Sequence, residues 1–183
     1  MTIILREHPD RTEVIGGYPA SSVLQIDTCF VHAVVPRGLD EDRHFIARLS
    51  ATAWNGVRLS HVEVPADIEK ASALLRVAEA NRNLPPSSLL ILAALDTAKA
   101  ALNLTAFDRA IPRLAGFIFD GDALAEASGA APDSELLTDL RIRLPLAARA
   151  CGITAFLATS DDRPETTANA ARGGYGGLCL KEG

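Results

Sequence analysis

From residue 57 onward, short apolar runs alternate with stretches of helical periodicity, and that alternation narrows the fold more than any other feature. Residues 89–95, 115–119 and 153–158 are apolar runs of strand length with no polar face, and residues 178–180 form a shorter last one. Before the first of them Ile68, Ala71, Leu74, Leu75 and Ala78 follow helical spacing, as do Leu137, Leu140, Leu144, Ala147 and Ala148 after Ser134, between the second and third. Strands apolar on both faces, separated by amphipathic helices, specify a parallel sheet with helices packed on it. The spacing places a strand at 57–64, a helix opening on Pro65, a loop at 83–88 around paired prolines and a helix over 97–104. A longer helix spans 134–151 and stops at Gly152, with Pro145 expected to kink it or mark a junction. A short helix covers 163–172, and the glycine-rich segment 173–177 turns into the last strand.

The first 50 residues read less regularly: strands at 2–5, 23–26 and 31–35, then an amphipathic helix over 40–53 with Asp40 as its N-cap. The total is seven or eight strands, with no linker to divide them, so residues 1–183 form a single domain. The pattern allows an open α/β sheet with a small-molecule site at its switch point or an α/β barrel of the (β/α)8 TIM type. The barrel is the expected class, shortened because 183 residues fall well below the roughly 250 of a complete one. With only 5% aromatic residues, the core is expected to be Leu, Ile, Val and Ala. A net charge of −5 argues against a nucleic-acid partner, since phosphate binding needs a basic surface. The three cysteines lack disulfide or zinc spacing and read as reduced core thiols in a cytoplasmic protein. The N-terminus lacks signal-peptide character, and no apolar segment reaches the roughly 18 residues that suggest a membrane span.

Asp96 closes the run at 89–95, and Asp122 follows the run at 115–119 with Asp120 two residues before it. Carboxylates at the carboxyl ends of neighbouring parallel strands are where an α/β barrel holds a divalent metal or a catalytic acid. Asp120 and Asp122 equally suit the N-cap of a helix starting near Ala123. The glycines of 173–177 lack the spacing of a phosphate-binding motif and precede a strand, which marks a tight turn.

Five blocks in order resemble the citrate lyase β-subunit family, within the HpcH/HpaI aldolase group. Gly56-Val-Arg-Leu-Ser-His-Val-Glu63 is similar to the family's Gly-Val-x-Leu-Pro-Lys-Val-Glu strand, and Ala94-Leu-Asp-Thr-Ala-Lys-Ala-Ala-Leu-Asn103 to its Ile-Glu-Thr-Ala-x-Gly-x-Leu-Asn. Pro112-Arg-Leu-Ala-Gly-Phe-Ile-Phe-Asp-Gly-Asp-Ala-Leu-Ala125 resembles the Pro-Arg-Val-x-x-Leu-x-Phe-Gly-x-Glu-Asp-Leu-Ala block. The helix ending Ala147-Ala-Arg-Ala-Cys-Gly-Ile153 is similar to one ending Ala-Ala-Arg-Ala-Ala-Gly-Ile, and Gly174-Tyr-Gly-Gly-Leu-Cys-Leu180 to the final barrel strand.

The resemblance implies a magnesium-dependent barrel that makes or breaks a carbon–carbon bond beside a carbonyl, acting on an acyl-CoA thioester or a keto acid. Magnesium would be held by Asp96, at the family's metal-binding glutamate, and by Asp122, helped by Asp120. The family's Glu-Asp-Leu aspartate falls on Ala123. Its strand arginine falls on Ala33, leaving Arg58 or Arg37 as the carboxylate clamp, and its strand lysine falls on His61, a substrate contact or base. Arg58 also suits a solvent-facing position, and the better reading of His61 is a satisfied histidine at a strand end. These departures leave a second expectation open, a family member that has lost catalysis and serves as a binding or assembly subunit. A short chain that leaves barrel flanks uncovered is also expected to form a homo-oligomer, a dimer or trimer.

Overall fold

The computed structural model describes residues 3–16, 28–51, 53–107 and 111–181. Eight strands close into one barrel in sequence order: β1 (Ile3–Glu7), β2 (Arg11–Gly16), β3 (Cys29–Val34), β4 (Gly56–Ser60), β5 (Leu90–Leu95), β6 (Leu114–Phe119), β7 (Thr154–Thr159) and β8 (Gly177–Leu180). Helices α1 (Leu39–Ala51), α2 (Pro65–Asn81), α3 (Ala98–Leu102), α4 (Gly121–Ser128), α5 (Glu135–Ala150) and α6 (Pro164–Arg172) lie outside it. A 3-10 turn at Leu104–Ala106 follows α3.

The expected parallel sheet holds except at β2, which runs antiparallel to both β1 and β3. Only His8, Pro9 and Asp10 join β1 to β2, and a parallel crossover needs a dozen residues or more, so the chain can only turn back. Sequence reading missed this strand. The strand expected at 23–26 lies outside the described residues. Asp40 is not the cap of α1, because the helix begins one residue earlier and takes Asp40 into its first turn.

Two apolar cores result. Ile3, Leu5, Val14, Phe30, Leu92, Ile118, Phe156 and Cys179 fill the barrel interior. The larger core sits between sheet and helices: Val31, Val57 and Leu59 of the wall belong to it with Ile68 and Leu75 of α2, and Leu140 and Leu144 join it from α5, which packs over β6 and β7. Each such side chain contributes about 1.5–3 kcal/mol. Aromatic residues matter more than the composition suggests, since all six phenylalanines are buried. Phe156 shows how the narrow barrel makes room: a Cβ on Gly116 or Gly177, on the strands to either side, would stand 2.5 or 2.7 Å from its ring.

Helix α5 passes through Pro145 without ending. Proline removes the N–H that would bond the carbonyl four residues earlier, here that of Arg141. The Tyr175 hydroxyl takes over that role, donating to the Arg141 carbonyl at 2.7 Å. The turn at 173–177 thus seals α5, and Gly174, at φ +88°, passes where a Cβ would stand 3.1 Å from Pro145. Away from the barrel mouth, Arg113 pairs with Glu79 through two contacts, one of them 2.8 Å from Nη2 to Oε2, and both side chains are buried. Glu79 also accepts from the N–H groups of Leu89, at 2.8 Å, and Ser87, at 3.2 Å, tying α2 to the entry of β5.

Candidate functional site at the barrel mouth

Strand alternation decides which side chains face the interior at the carboxyl end of the barrel. Glu7 stands two residues beyond Leu5, Asp96 two beyond Ala94, Asp120 two beyond Ile118 and Lys181 two beyond Cys179, each continuing an inward-facing row. Arg58 lies between Val57 and Leu59, which face the outer core, so it too points inward. It is buried inside the barrel, not turned to solvent.

These groups form a line of alternating charge. Arg58 Nε lies 2.7 Å from Glu7 Oε1, an ionic contact whose angle is not that of a hydrogen bond. Arg58 Nη1 donates to Ser60 Oγ at 3.3 Å, and Nη2 lies 3.9 Å from Asp120 Oδ2. Lys181 Nζ then donates to Asp120 Oδ1 at 2.6 Å and to Asp122 Oδ2 at 3.0 Å. Burial alone would lower the Lys181 pKa, but the two aspartates outweigh it and hold the pKa above its ordinary value. Lys181 is therefore a fixed cation and not a free amine nucleophile. Asp120 also caps α4, its carboxylate accepting from the Ala123 N–H at 3.1 Å. Asp122 is exposed and reaches inward only through Lys181.

Asp96 stands apart from this line. Its Oδ1 accepts from the His61 N–H at 2.9 Å. Burial raises its pKa, and the His61 N–H and the positive charge of Arg58 offset this only in part. His61 follows β4 directly, with its backbone in the left-handed region at φ 57°, so its amide is aimed at Asp96 while its ring is exposed. Arg37 is already engaged, donating to Asp67 Oδ1 at 2.6 Å and to the His61 carbonyl at 3.1 Å. Glu63 is bridged by Lys99 at 2.8 Å. On the far side His32 meets Thr12 across 2.7 Å, and burial together with the nearby Arg58 charge lowers its pKa to about 4, so its ring is neutral.

A resident magnesium needs several oxygens converging on one open point. Asp120 and Asp122 offer theirs to the Lys181 ammonium, and Asp96 bonds a backbone amide. Among the described residues no three of His, Cys, Asp or Glu come together to hold an ion. The donor set at the mouth fits a bound ammonium and not a divalent cation. Glu7 and Lys181 were missed in the sequence. The signal was there in principle, two residues past Leu5 and Cys179 on the inward rows, but the strands were read as ending at residues 5 and 180.

No protein-family profile matches the chain, and no curated protein matches it. Solved structures do match by fold. RipC from Yersinia pestis superposes with a TM-score of 0.63 at 18% identity, over 82% of this chain and 69% of that one. A HpcH/HpaI aldolase/citrate lyase family protein from Burkholderia cenocepacia gives 0.64 at 14%, over 82% and 66%. The malate synthase of Haloferax volcanii, solved as a pyruvate/acetyl-CoA ternary complex, gives 0.67 at 19%, over 82% and 47%. The chain spans roughly half to two-thirds of the length of these proteins. It has the TIM-type barrel fold of the aldolase/citrate lyase group, as the sequence blocks suggested. No described helix is long and apolar enough to cross a membrane.

Proposed function

We propose that this barrel is a binding or assembly subunit built on the aldolase/citrate lyase fold, and that magnesium-dependent carbon–carbon chemistry has been lost from its mouth. One observation carries the reading: the Lys181 ammonium sits between Asp120 and Asp122, where the resemblance puts the metal. Arg58 supports it. The clamp would have to offer a free guanidinium to a substrate carboxylate, but here the group is buried against Glu7 and Asp120. Both signs of charge along the line from Glu7 to Asp122 are thus paired within the protein. The test is an assay of the purified chain with acyl-CoA thioesters and with keto acids such as oxaloacetate and pyruvate. No cleavage or condensation is expected, and measurable turnover removed by Asp96→Asn would overturn the reading.

A second reading is favoured by Asp96. It remains the magnesium-dependent lyase or aldolase acting on an acyl-CoA or keto acid, with Asp96, Asp122 and Asp120 toward the ion and His61 and Arg58 toward substrate. A part-buried carboxylate whose pKa stays raised despite its backbone donors is under-neutralised, and an added cation beside it would be stabilised. This reading requires Lys181 to withdraw. Magnesium binding that displaces Lys181, followed as a shift of its amine resonance, would support it over the first.

A further inference from the structure

The outward face of α5 carries a stripe that the barrel leaves unused. Glu135, Asp139, Ile142, Leu146 and Arg149 follow at spacings of four, three, four and three, so all five fall within an arc of about 80° of the helix. All are exposed, Ile142 at 63% and Leu146 at 68%. The inward face of the same helix is complete, with Leu137, Leu140, Leu144, Ala147 and Ala148 buried. Single exposed apolar residues are ordinary, but these two are stacked at the spacing of a helix–helix seam. Leu146 is also the shared wall of two open grooves. One, of about 580 Å³, runs toward Pro145, Arg172 and Gly174, and the other, of about 270 Å³, toward Leu104 and Phe107. A ridge flanked by grooves is the shape that receives a second ridge.

The charge order along the stripe selects the occupant. It is acidic at the amino end, apolar in the middle and basic at the carboxyl end, so it complements its own reverse. Two copies of α5 laid antiparallel about the level of Leu144 bring Ile142 opposite Leu146 of the second copy. Asp139 and Arg149 lie five residues to either side of that level, about 7.5 Å along the axis, so each meets the other's counterpart. We propose that α5 forms the interface of a symmetric homodimer through this antiparallel pairing, with two Ile142–Leu146 contacts and two Asp139–Arg149 ion pairs. The intrahelical Arg143–Asp139 contact of 3.2 Å is compatible with it, because a carboxylate accepts from two guanidinium groups. A single helix pair buries less than a standard interface, so association is expected in the micromolar range. The stripe lies on the outer wall, and the proposal stands independently of the chemistry at the mouth.

Sedimentation velocity over a concentration series, from low micromolar to submillimolar, tests it. The wild type is expected to pass from monomer to dimer. Ile142→Glu with Leu146→Glu is expected to remain monomeric with an unchanged thermal melt, since both positions are exposed. Asp139→Arg and Arg149→Asp each make both ion pairs repulsive and are expected to weaken the dimer about tenfold or more, whereas the two together restore it. A wild type that stays monomeric throughout would overturn the proposal, as would a dimer indifferent to the glutamates. Failure of the paired reversal to restore association would overturn it too, and point to a different partner for the stripe.

Discussion

Lys181 Nζ stands 2.6 Å from Asp120 Oδ1, joining the end of the last strand to the residue that caps α4. One ammonium thereby neutralises a nearly buried carboxylate and ties the end of β8 to the end of β6, two strands along the wall. Lys181→Met leaves Asp120 with the Ala123 N–H and, as counter-charge, the longer Arg58 contact. It is expected to cost about 1–3 kcal/mol in chemical denaturation, short of a fully buried pair because Lys181 reaches solvent. An unchanged midpoint would show that the pair contributes nothing.

Asp96 behaves in the opposite sense. Its folded pKa is raised above the ordinary aspartate value, so its charge opposes folding at neutral pH, and the penalty is relieved as pH falls and the group protonates. Asp96→Asn keeps an oxygen for the His61 N–H while removing the charge, and is expected to leave stability at pH 7 equal or slightly higher. A loss of more than about 1 kcal/mol would mean the carboxylate has an attractive partner.

His32 gives a pH signature. Its folded pKa of about 4 lies below the ordinary 6.5, so the folded state binds its proton less well than the unfolded chain. Its stabilising contribution is full above pH 6.5 and is lost as pH falls from there toward 4, on the order of 3 kcal/mol in total. His32→Gln should show a shallower fall than the wild type over that window in parallel denaturation curves. Parallel slopes would place the acid sensitivity elsewhere.

The Glu79–Arg113 pair is expected to be the costliest single break. Burial alone would raise the Glu79 pKa, yet Arg113 and the amides of Leu89 and Ser87 hold it below the ordinary value. Arg113→Met leaves the buried carboxylate with its backbone donors but without a counter-charge and should destabilise by about 3–5 kcal/mol, whereas Arg113→Met combined with Glu79→Leu should recover much of that loss. Equal losses in single and double variants would refute the coupling.

Tyr175→Phe removes the donor that serves the Arg141 carbonyl at the Pro145 break. It is expected to cost about 1 kcal/mol, with faster amide exchange confined to the turns of α5 around Pro145. No local change would mean that water replaces the hydroxyl.

Much of the barrel was legible because it rests on periodicity. The apolar runs became β5, β6 and β7, and Pro65 and Ser134 open α2 and α5 as their chemistry suggests. The reversed β2 was not legible, since Arg11–Gly16 alternates weakly and its direction is set by the short link before it. At the mouth, Asp96 and Asp122 were singled out because carboxylates at strand ends stand out, with Asp120 as a helper. It is Asp120 that follows β6 and caps α4, while Asp122 is exposed in the first turn of that helix. The roles were not readable, because that of Asp120 depends on Lys181, 61 residues away, being set near it by the successive pairing of β6, β7 and β8. Arg58 fits the same pattern: a charge between apolar neighbours suggests solvent until Glu7 and Asp120 are seen facing it.

The most direct test is a calorimetric titration of magnesium or manganese into the wild-type protein and Lys181→Met side by side, with oxaloacetate present. The account predicts no binding heat from the wild type and weak binding gained by the variant once Asp120 and Asp122 are released. Wild-type binding as tight as or tighter than the variant's would contradict it and restore the metal to the site.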